Sequence, residues 1–191
     1  MTRLGILAEA KALIAESGNA AISLGDLASR AGIGRTTFYE YFSDRDDVIA
    51  SLVEEELPGV IDEVISGVTA TDTEARLSEL INATVFFVVD NPVLGLILHT
   101  EVPKLGARAQ VRVSAAHADL ARETASVYLS GVADGVFRPI DPSLAGRLIQ
   151  DSIMAAAKTI IGSADPTARA PEIAAELGRF LLAGLSADKS S

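Results

Sequence analysis

An all-helical fold is predicted by three features of the sequence. Alanine, leucine and isoleucine are abundant, whereas aromatic residues make up only 5% of the chain. Helix-forming residues recur along nearly the whole length, and apolar residues return at the three- and four-residue spacing of a helix face. With 49% hydrophobic residues in a chain of 191, a sizeable core can form in one domain or two small ones. We expect helices and no sheet.

The start of the chain predicts three short helices in succession. Ile6 and Ile14 lie on one face of the first helix, and Gly18 is a residue type that commonly ends one. Ser23 is a candidate N-cap for the second helix, which Gly32 closes after about two turns. A third helix must begin directly after this glycine, so the spacing predicts a helix-turn-helix.

The third predicted helix is rich in aromatic residues and has two distinct faces. At about 100° per residue, Phe38 and Phe42 point the same way, and we expect them to pack inside. Thr36, Thr37 and Glu40 fall on the opposite arc. The exposed face and its flanks therefore offer hydroxyl, phenol and guanidinium groups, which can meet base edges and phosphates in a major groove.

Residues 6–49 read ILAEAKALIAESGNAAISLGDLASRAGIGRTTFYEYFSDRDDVI. This stretch resembles the N-terminal domain of the TetR family of bacterial transcriptional repressors, in its T-F-Y-x-Y-F run and in the basic residue three positions after that run. In that family the third helix lies in the major groove of DNA. The resemblance implies base contacts from Arg35, Thr36, Thr37, Tyr39 and Glu40, and phosphate contacts from Ser23, Tyr41 and Arg45.

Three positions in this stretch depart from the family pattern. Leu24 and Gly25 offer no polar side chain, so the second helix is expected to make fewer DNA contacts. Glu40 is acidic in a groove of negative potential. It can accept a hydrogen bond from a cytosine amino group or pair with a neighbouring arginine, and we favour the pairing. The basic arm before the first helix is nearly absent, which argues against minor-groove contacts.

The net charge of −10 is unevenly distributed along the chain. Up to residue 42 four cationic side chains balance four carboxylates, so the later residues hold the entire negative charge. Phosphate contacts are made largely by Lys and Arg. The N-terminal part that contains the three short helices, called the head below, is less basic than a typical DNA-binding module. The split nevertheless indicates two parts, and we predict a helix-turn-helix DNA-binding domain at 1–46 and a ligand-binding and dimerisation domain at 47–191.

The second part is predicted to be a helical bundle. A long amphipathic segment after residue 47 is interrupted by Pro58-Gly59, which should kink or split a helix and is a candidate pivot. Asn91-Pro92 starts a short helix. A long alanine-rich helix is expected from about residue 108 to 134, and two closing helices at about 142–162 and 171–185, the last beginning at Pro171.

The closing helices are candidates for a subunit interface because they contain many small residues, which permit close helix approach. A pair of such helices meeting its symmetry copy makes a four-helix interface, and the resemblance implies a homodimer of this kind. The alternative is that these helices only close the core of one subunit.

A ligand pocket in the bundle is predicted from its few distinctive side chains. A cavity lined by them would favour a small, largely apolar effector with one polar end. Each residue on its own is also compatible with an ordinary core or surface position. The candidate lining residues are Phe86, Phe87, His99, His117, Tyr128 and Met154.

Catalysis is not expected from this sequence. The chain has no cysteine and two histidines, which leaves neither a thiol nucleophile nor the ligands of a common metal site. Glu54, Glu55 and Glu56 are consecutive and point to different faces of a helix. We therefore predict no enzymatic activity, cofactor or metal, and, with no secretory signal or spanning segment, a cytoplasmic location.

These observations predict a dimeric, ligand-responsive DNA-binding regulator that acts as a repressor. Two heads one helical turn apart, about 34 to 36 Å, reach successive major grooves, so the operator should be an inverted repeat. An effector bound in the second part would release DNA by changing the separation of the heads. The alternative is a TetR-like ligand- or protein-binding module that has lost DNA binding.

Overall fold

The computed structural model describes residues 2–18 and 22–187, and it confirms the all-helical prediction. Within these residues the only β pairing is an isolated antiparallel bridge between Phe137 and Ser186. The helical segments are α1 Arg3–Ser17, α2 Leu24–Arg30, α3 Arg35–Tyr41, α4 Arg45–Gly67, α5 Thr73–Asp90, α6 Pro92–Leu96, a π-helical segment Ile97–Glu101, a 3-10 turn Val102–Lys104, α7 Ala107–Ala116, α8 Ala118–Ala133, α9 Pro142–Ile161 and α10 Pro166–Leu185.

Several helix ends follow directly from local sequence. Gly18 adopts a left-handed conformation with φ of 60° and ends α1, as its residue type predicts. Asp72 caps α5 by accepting the backbone N–H of Ala75 at 2.9 Å. Asp141 caps α9 in the same way, and Pro142 occupies the first helical position, where its missing N–H costs nothing.

The structure corrects the predicted limits of two helices. The alanine-rich segment forms α7 and α8 instead of one helix, with a break at His117, whose φ and ψ are −87° and −6°. Composition could not locate this break because the residues around it are good helix formers. The last helix begins at Pro166 rather than Pro171, because Asp165 caps it through the N–H of Ala168 at 3.0 Å.

The long helix after the head is not split by its proline. Pro58 lies inside α4, which is continuous from Arg45 to Gly67.

Among the described residues, no single helix combines the length and the apolarity that crossing a membrane requires.

The described chain forms two compact units that do not follow one another along the sequence. The first unit combines Met1–Pro58 with Pro92–Ala116, and the second combines Gly59–Asn91 with His117–Ser191. In the first unit α1 contacts α2 and α6, and α2 contacts α3. The first unit thus brings the predicted helix-turn-helix together with a segment that begins about 50 residues later. The functional division at residue 46 stays a prediction.

The second unit has its core between α5, α8, α9 and α10, which all contact α5 or one another. Tyr128 is 2% exposed and its ring stacks on Phe137, with ring centroids 6.1 Å apart. Its phenol oxygen donates to the carbonyl of Arg138 at 3.0 Å and accepts from the N–H of Ile140 at 2.8 Å. These bonds hold the segment that follows α8 against the core.

Candidate nucleic-acid interface

The turn between α2 and α3 is built by short-range backbone contacts. Ser23 accepts the N–H of Asp26 at 3.4 Å and so caps the start of α2, as the sequence predicts. Gly32 has φ of 65°, a left-handed conformation that glycine adopts without strain. The N–H of Ile33 reaches back to the carbonyl of Ala28 at 3.1 Å. These bonds let two helices of about two turns each hold a fixed relationship.

The buried side of α3 is formed by two phenylalanines. Phe38 and Phe42 are each 1% exposed, and their ring centroids lie 5.7 Å apart. Their burial confirms the predicted packing. The side chain of Tyr39, in contrast, is 44% exposed, and Thr36 is also exposed whereas Thr37 is half-buried. The short helix is therefore anchored from behind, with a polar face toward solvent. DNA contact by this face stays a prediction.

Arg35 and Tyr39 form a pair one helical turn apart. The guanidinium carbon of Arg35 lies 5.8 Å from the centre of the Tyr39 ring, and its Nη2 is 3.5 Å from the phenol oxygen. Glu40 is exposed and has no ion pair among the described residues. The arginine on α3 is turned toward the tyrosine, and the favoured pairing of Glu40 with a neighbouring arginine is not seen among the described residues.

Two predicted phosphate contacts, Ser23 and Tyr41, occupy different environments. Ser23 is exposed, but its hydroxyl oxygen already caps α2. Tyr41 is half-buried at the end of α3.

Arg3, the first residue of α1, donates to the hydroxyl of Ser51 at 2.5 Å and lies 5.2 Å from the centre of the Phe42 ring. The side chain of Arg3 is therefore held against other residues of the first unit although Arg3 is exposed.

Arg45, the third predicted phosphate contact, is ion-paired with Glu101. Glu101 lies at the end of the π-helical segment and its side chain is 4% exposed. Its other carboxylate oxygen accepts from Nζ of Lys104 at 2.9 Å and from the hydroxyl of Thr100 at 3.2 Å. Burial opposes ionisation, yet the hydrogen bonds from Arg45 and Lys104 outweigh it and hold the pKa of Glu101 below its ordinary value.

A second ionic cluster centres on Arg112 of α7, which sequence reasoning did not identify. Its guanidinium donates to both carboxylate oxygens of Glu54 at 2.7 and 2.5 Å, to Asp47 at 2.7 Å and to Ser51 at 2.9 Å. The hydrogen bond to Glu54 is the largest cause of the raised pKa of Arg112. The spacing of Asp47, Ser51 and Glu54 places all three on one face of α4. This pattern indicates that a basic residue packs there, but the sequence does not show that the residue is Arg112.

Comparisons with known proteins match both parts of this architecture. Residues 6–52 match the model for bacterial regulatory proteins of the tetR family, and residues 70–158 match the tetracyclin repressor-like C-terminal domain. The two matches together cover more than half of the chain. The chain belongs to the TetR family. It has the fold of a TetR-family transcriptional regulator, with the N-terminal domain that binds DNA in this family, and members of this family are not enzymes.

Solved TetR-family structures have the same fold over nearly the whole chain. The fatty acid degradation regulator FadR from Bacillus halodurans is 22% identical, with a TM-score of 0.77, and the match covers 95% of each chain. PfmR from Thermus thermophilus, a TetR family regulator, is 24% identical with a TM-score of 0.70, covering 95% of this chain and 96% of that one. FadR from Bacillus subtilis, in complex with stearoyl-CoA, is 18% identical with a TM-score of 0.74, covering 92% of this chain and 97% of that one. A search of curated proteins found no significant match.

The predicted effector-pocket residues of this TetR-family chain do not all lie in one unit. His99 is in the π-helical segment of the first unit, whereas the other five residues belong to the second. Phe86 and Phe87 are partly buried against the core of the second unit. The hydroxyl of Tyr128 is bonded to backbone groups, and His117 and Met154 are half-buried. A shared cavity lined by these side chains stays a prediction.

The closing helices of this TetR-family chain expose apolar surface. Phe180 on α10 is 71% exposed, and Leu144 and Leu148 on α9 are about half exposed. A shallow groove of about 360 Å³ runs between α9 and α10 beside Phe180. It is lined by Ser152, Ala155, Ala156, Thr159, Ile173, Glu176, Leu177 and Phe180. Single exposed apolar residues are common, but a groove with a large aromatic at its edge is typical of an interaction surface.

Proposed function

We propose that this TetR-family chain is a dimeric cytoplasmic repressor that binds an inverted-repeat operator and is released by a small, largely apolar effector. The observation that carries the proposal is the two-sided construction of α3. Phe38 and Phe42 are buried on one side of the helix. Thr36, Tyr39 and Glu40 face solvent on the other side, and the helix is short enough to enter a major groove. A rigid helix with a polar outer face is what base reading requires.

Dimerisation through α9 and α10 is supported by the exposed apolar surface on those helices. One helix-turn-helix reads only a few base pairs, so a stable operator complex needs two heads on one face of the duplex. Burying Phe180 and the α9 leucines against a symmetry copy would remove apolar area from water, at about 25 cal/mol per Å². The two copies would then contribute α9 and α10 to a four-helix interface.

The effector class is supported by the composition of the second unit. Its core is mainly aliphatic with Phe86 and Phe87 partly buried against it, which suits an apolar ligand. The stearoyl-CoA in the Bacillus subtilis FadR complex is a ligand of that type, with a long apolar chain and a polar end. We propose the same general class for this chain. Binding would act through α4, which links the two units in sequence.

A second candidate function, ligand or protein binding without DNA binding, is favoured by one observation. Within the described part of the head, every cationic side chain up to residue 45 has an intramolecular partner, so none is held ready for a phosphate. Arg3 bonds to Ser51, Lys11 to Glu56, Arg30 to Glu9 and Glu16, Arg35 to Tyr39, and Arg45 to Glu101.

The salt dependence of DNA binding separates the two candidates. Each phosphate neutralised by Lys or Arg adds about −0.9 to the slope of log affinity against log salt. We would titrate the full-length protein into duplex DNA from upstream of its own gene and into a shuffled duplex, between about 50 and 200 mM salt. If the protein is a repressor, we expect tighter binding to the upstream duplex than to the shuffled one and a negative slope of log affinity against log salt. Absence of binding to either duplex at the lowest salt would favour the second candidate.

A double substitution tests whether α3 is the reading helix. Thr37→Ala with Tyr39→Ala should leave fold and dimer intact but weaken specific binding by about tenfold or more. The control is Val111→Ala with Ser114→Ala on α7, which truncates two exposed side chains, one of them a hydroxyl, outside the reading helix. If both variants bind the upstream duplex as the wild type does, α3 does not read the operator.

A further inference from the structure

Glu40 occupies the position on α3 that points most directly away from the buried Phe38 and Phe42. At about 100° per residue, it lies roughly 180° from the midpoint between Phe38 and Phe42. Because those two rings are buried beneath the helix, the carboxylate of Glu40 stands at the centre of the outer face. If α3 enters the major groove as proposed above, this side chain comes closest to the base edges.

The charge of Glu40 is not neutralised by the head. Arg35, one turn and a half earlier, donates to Tyr39, and Arg45 pairs with the buried Glu101. Among the described residues Glu40 has no ion pair. An unpaired carboxylate entering a groove of negative potential is repelled unless a hydrogen-bond donor on the DNA receives it. Glu40 therefore either opposes binding or selects a particular donor.

The major groove offers only two kinds of base donor. These are the N4 amino group of cytosine and the N6 amino group of adenine. On adenine the donor lies beside the N7 acceptor, which repels the second carboxylate oxygen, whereas the neighbouring edge of cytosine is a C–H group. A carboxylate consequently fits cytosine, and an amide, which can donate and accept at once, fits adenine.

We infer that Glu40 is a specificity-determining residue, which accepts a hydrogen bond from the N4 amino group of one cytosine in each half-site. This inference rests on the proposed DNA-binding function and adds to it the identity of one base pair. The negative charge makes the contact selective by repulsion as well as by attraction, since guanine and thymine offer no donor and adenine sets its N7 acceptor against the second carboxylate oxygen.

Selection from a randomised duplex library tests the inference with the full-length protein. The wild type should enrich an inverted repeat with a fixed cytosine at one position of each half-site. Glu40→Ala should lose the preference at that position alone, with the other positions unchanged. Glu40→Gln should shift it toward adenine. On the wild-type repeat, replacing that cytosine should weaken wild-type binding by about tenfold and leave Glu40→Ala nearly unaffected.

The matched control is Glu55→Gln, an exposed carboxylate on α4 without an ion pair among the described residues. It removes the same charge outside the reading face, so any general gain in DNA affinity should appear in both variants. If the wild type enriches no sequence, the proposed function fails and the inference fails with it. If the wild type enriches a repeat that Glu40→Ala also enriches unchanged, the inference alone is overturned.

Discussion

Arg45, the first residue of α4, donates a hydrogen bond to the carboxylate of Glu101, which lies 56 residues further along the chain. The side chain of Glu101 is 4% exposed whereas that of Arg45 is 29% exposed, so the pair lies at the edge of the first unit with its negative partner inside. The residue implied to hold a DNA phosphate is thus held by a buried carboxylate of the same unit. π-helical segments such as the one containing Glu101 occur frequently at functional sites.

Substituting Glu101 should destabilise the first unit measurably. Glu101→Gln keeps the shape of the side chain but removes the charge from hydrogen bonds to Arg45 and Lys104. Charge-assisted hydrogen bonds contribute more than neutral ones, so we expect a loss of about 1–3 kcal/mol in the free energy of unfolding. Urea denaturation followed by circular dichroism measures it. The exposed control Glu55→Gln should change stability by less than about 0.5 kcal/mol. Equal values for the two variants would contradict a stabilising ion pair.

Acid should weaken the same unit through three carboxylates whose pKa values are lowered by folding. For Glu54 the cause is the hydrogen bond from Arg112, while for Glu101 and Asp47 hydrogen bonds outweigh the opposing effect of burial. A pKa below the unfolded value means that the ionised form stabilises the fold. That stability is complete above the unfolded pKa, near 4.5 for glutamate, and is lost as the pH falls through the folded value.

The pH dependence has a direct measurement. The urea midpoint of the wild type should be flat from about pH 7 to pH 5.5 and fall below about pH 4.5. Glu54→Gln with Glu101→Gln should start from a lower midpoint and fall less steeply, because two of the linked protons no longer bind. A variant whose curve runs parallel to that of the wild type would show that these carboxylates do not control acid unfolding.

The apolar surface of α10 should control the oligomeric state. Phe180→Asp places a charge where the proposed interface buries an aromatic ring, so the dimer should dissociate, and operator binding should weaken because the two heads no longer act together. Light scattering after size-exclusion chromatography measures the mass. Val111→Asp is the control, since Val111 is 69% exposed, close to the 71% of Phe180, but lies on α7. A Phe180→Asp protein that remains dimeric would exclude this surface as the interface.

A glycine in α8 should be intolerant of a methyl group. A Cβ at Gly131 would come within 2.5 Å of Cε2 of Phe137 and 2.9 Å of Cγ2 of Thr73. Gly131→Ala should therefore cost about 1–3 kcal/mol of unfolding free energy, by forcing the Phe137 ring off Tyr128. Gly59→Ala, where nothing lies within 4 Å, should instead stabilise α4 by about 0.5–1 kcal/mol. Thermal unfolding distinguishes the two, and a neutral Gly131→Ala would contradict the packing described.

The helix limits show where sequence reasoning succeeds. Gly18, Ser23 and Asp141 act on backbone groups within four residues, so their identity and position suffice to fix the ends of helices. The start of the last helix was predicted at Pro171 although its signal is equally local, because Asp165-Pro166 repeats the cap-and-proline pattern of Asp141-Pro142. The capping bond of Asp165 selected the earlier one.

The sequence by itself determined the helical class, the helix-turn-helix and the two-sided form of α3, because periodicity and caps depend on residues close in the chain. Only the tertiary structure decided which charges meet. Arg112 joins Asp47 and Glu54 across 65 and 58 residues, and Arg45 meets Glu101 across 56. The chain offers 16 cationic and 26 acidic side chains, and Coulomb attraction depends on distance in space, which the fold sets and the order of residues does not.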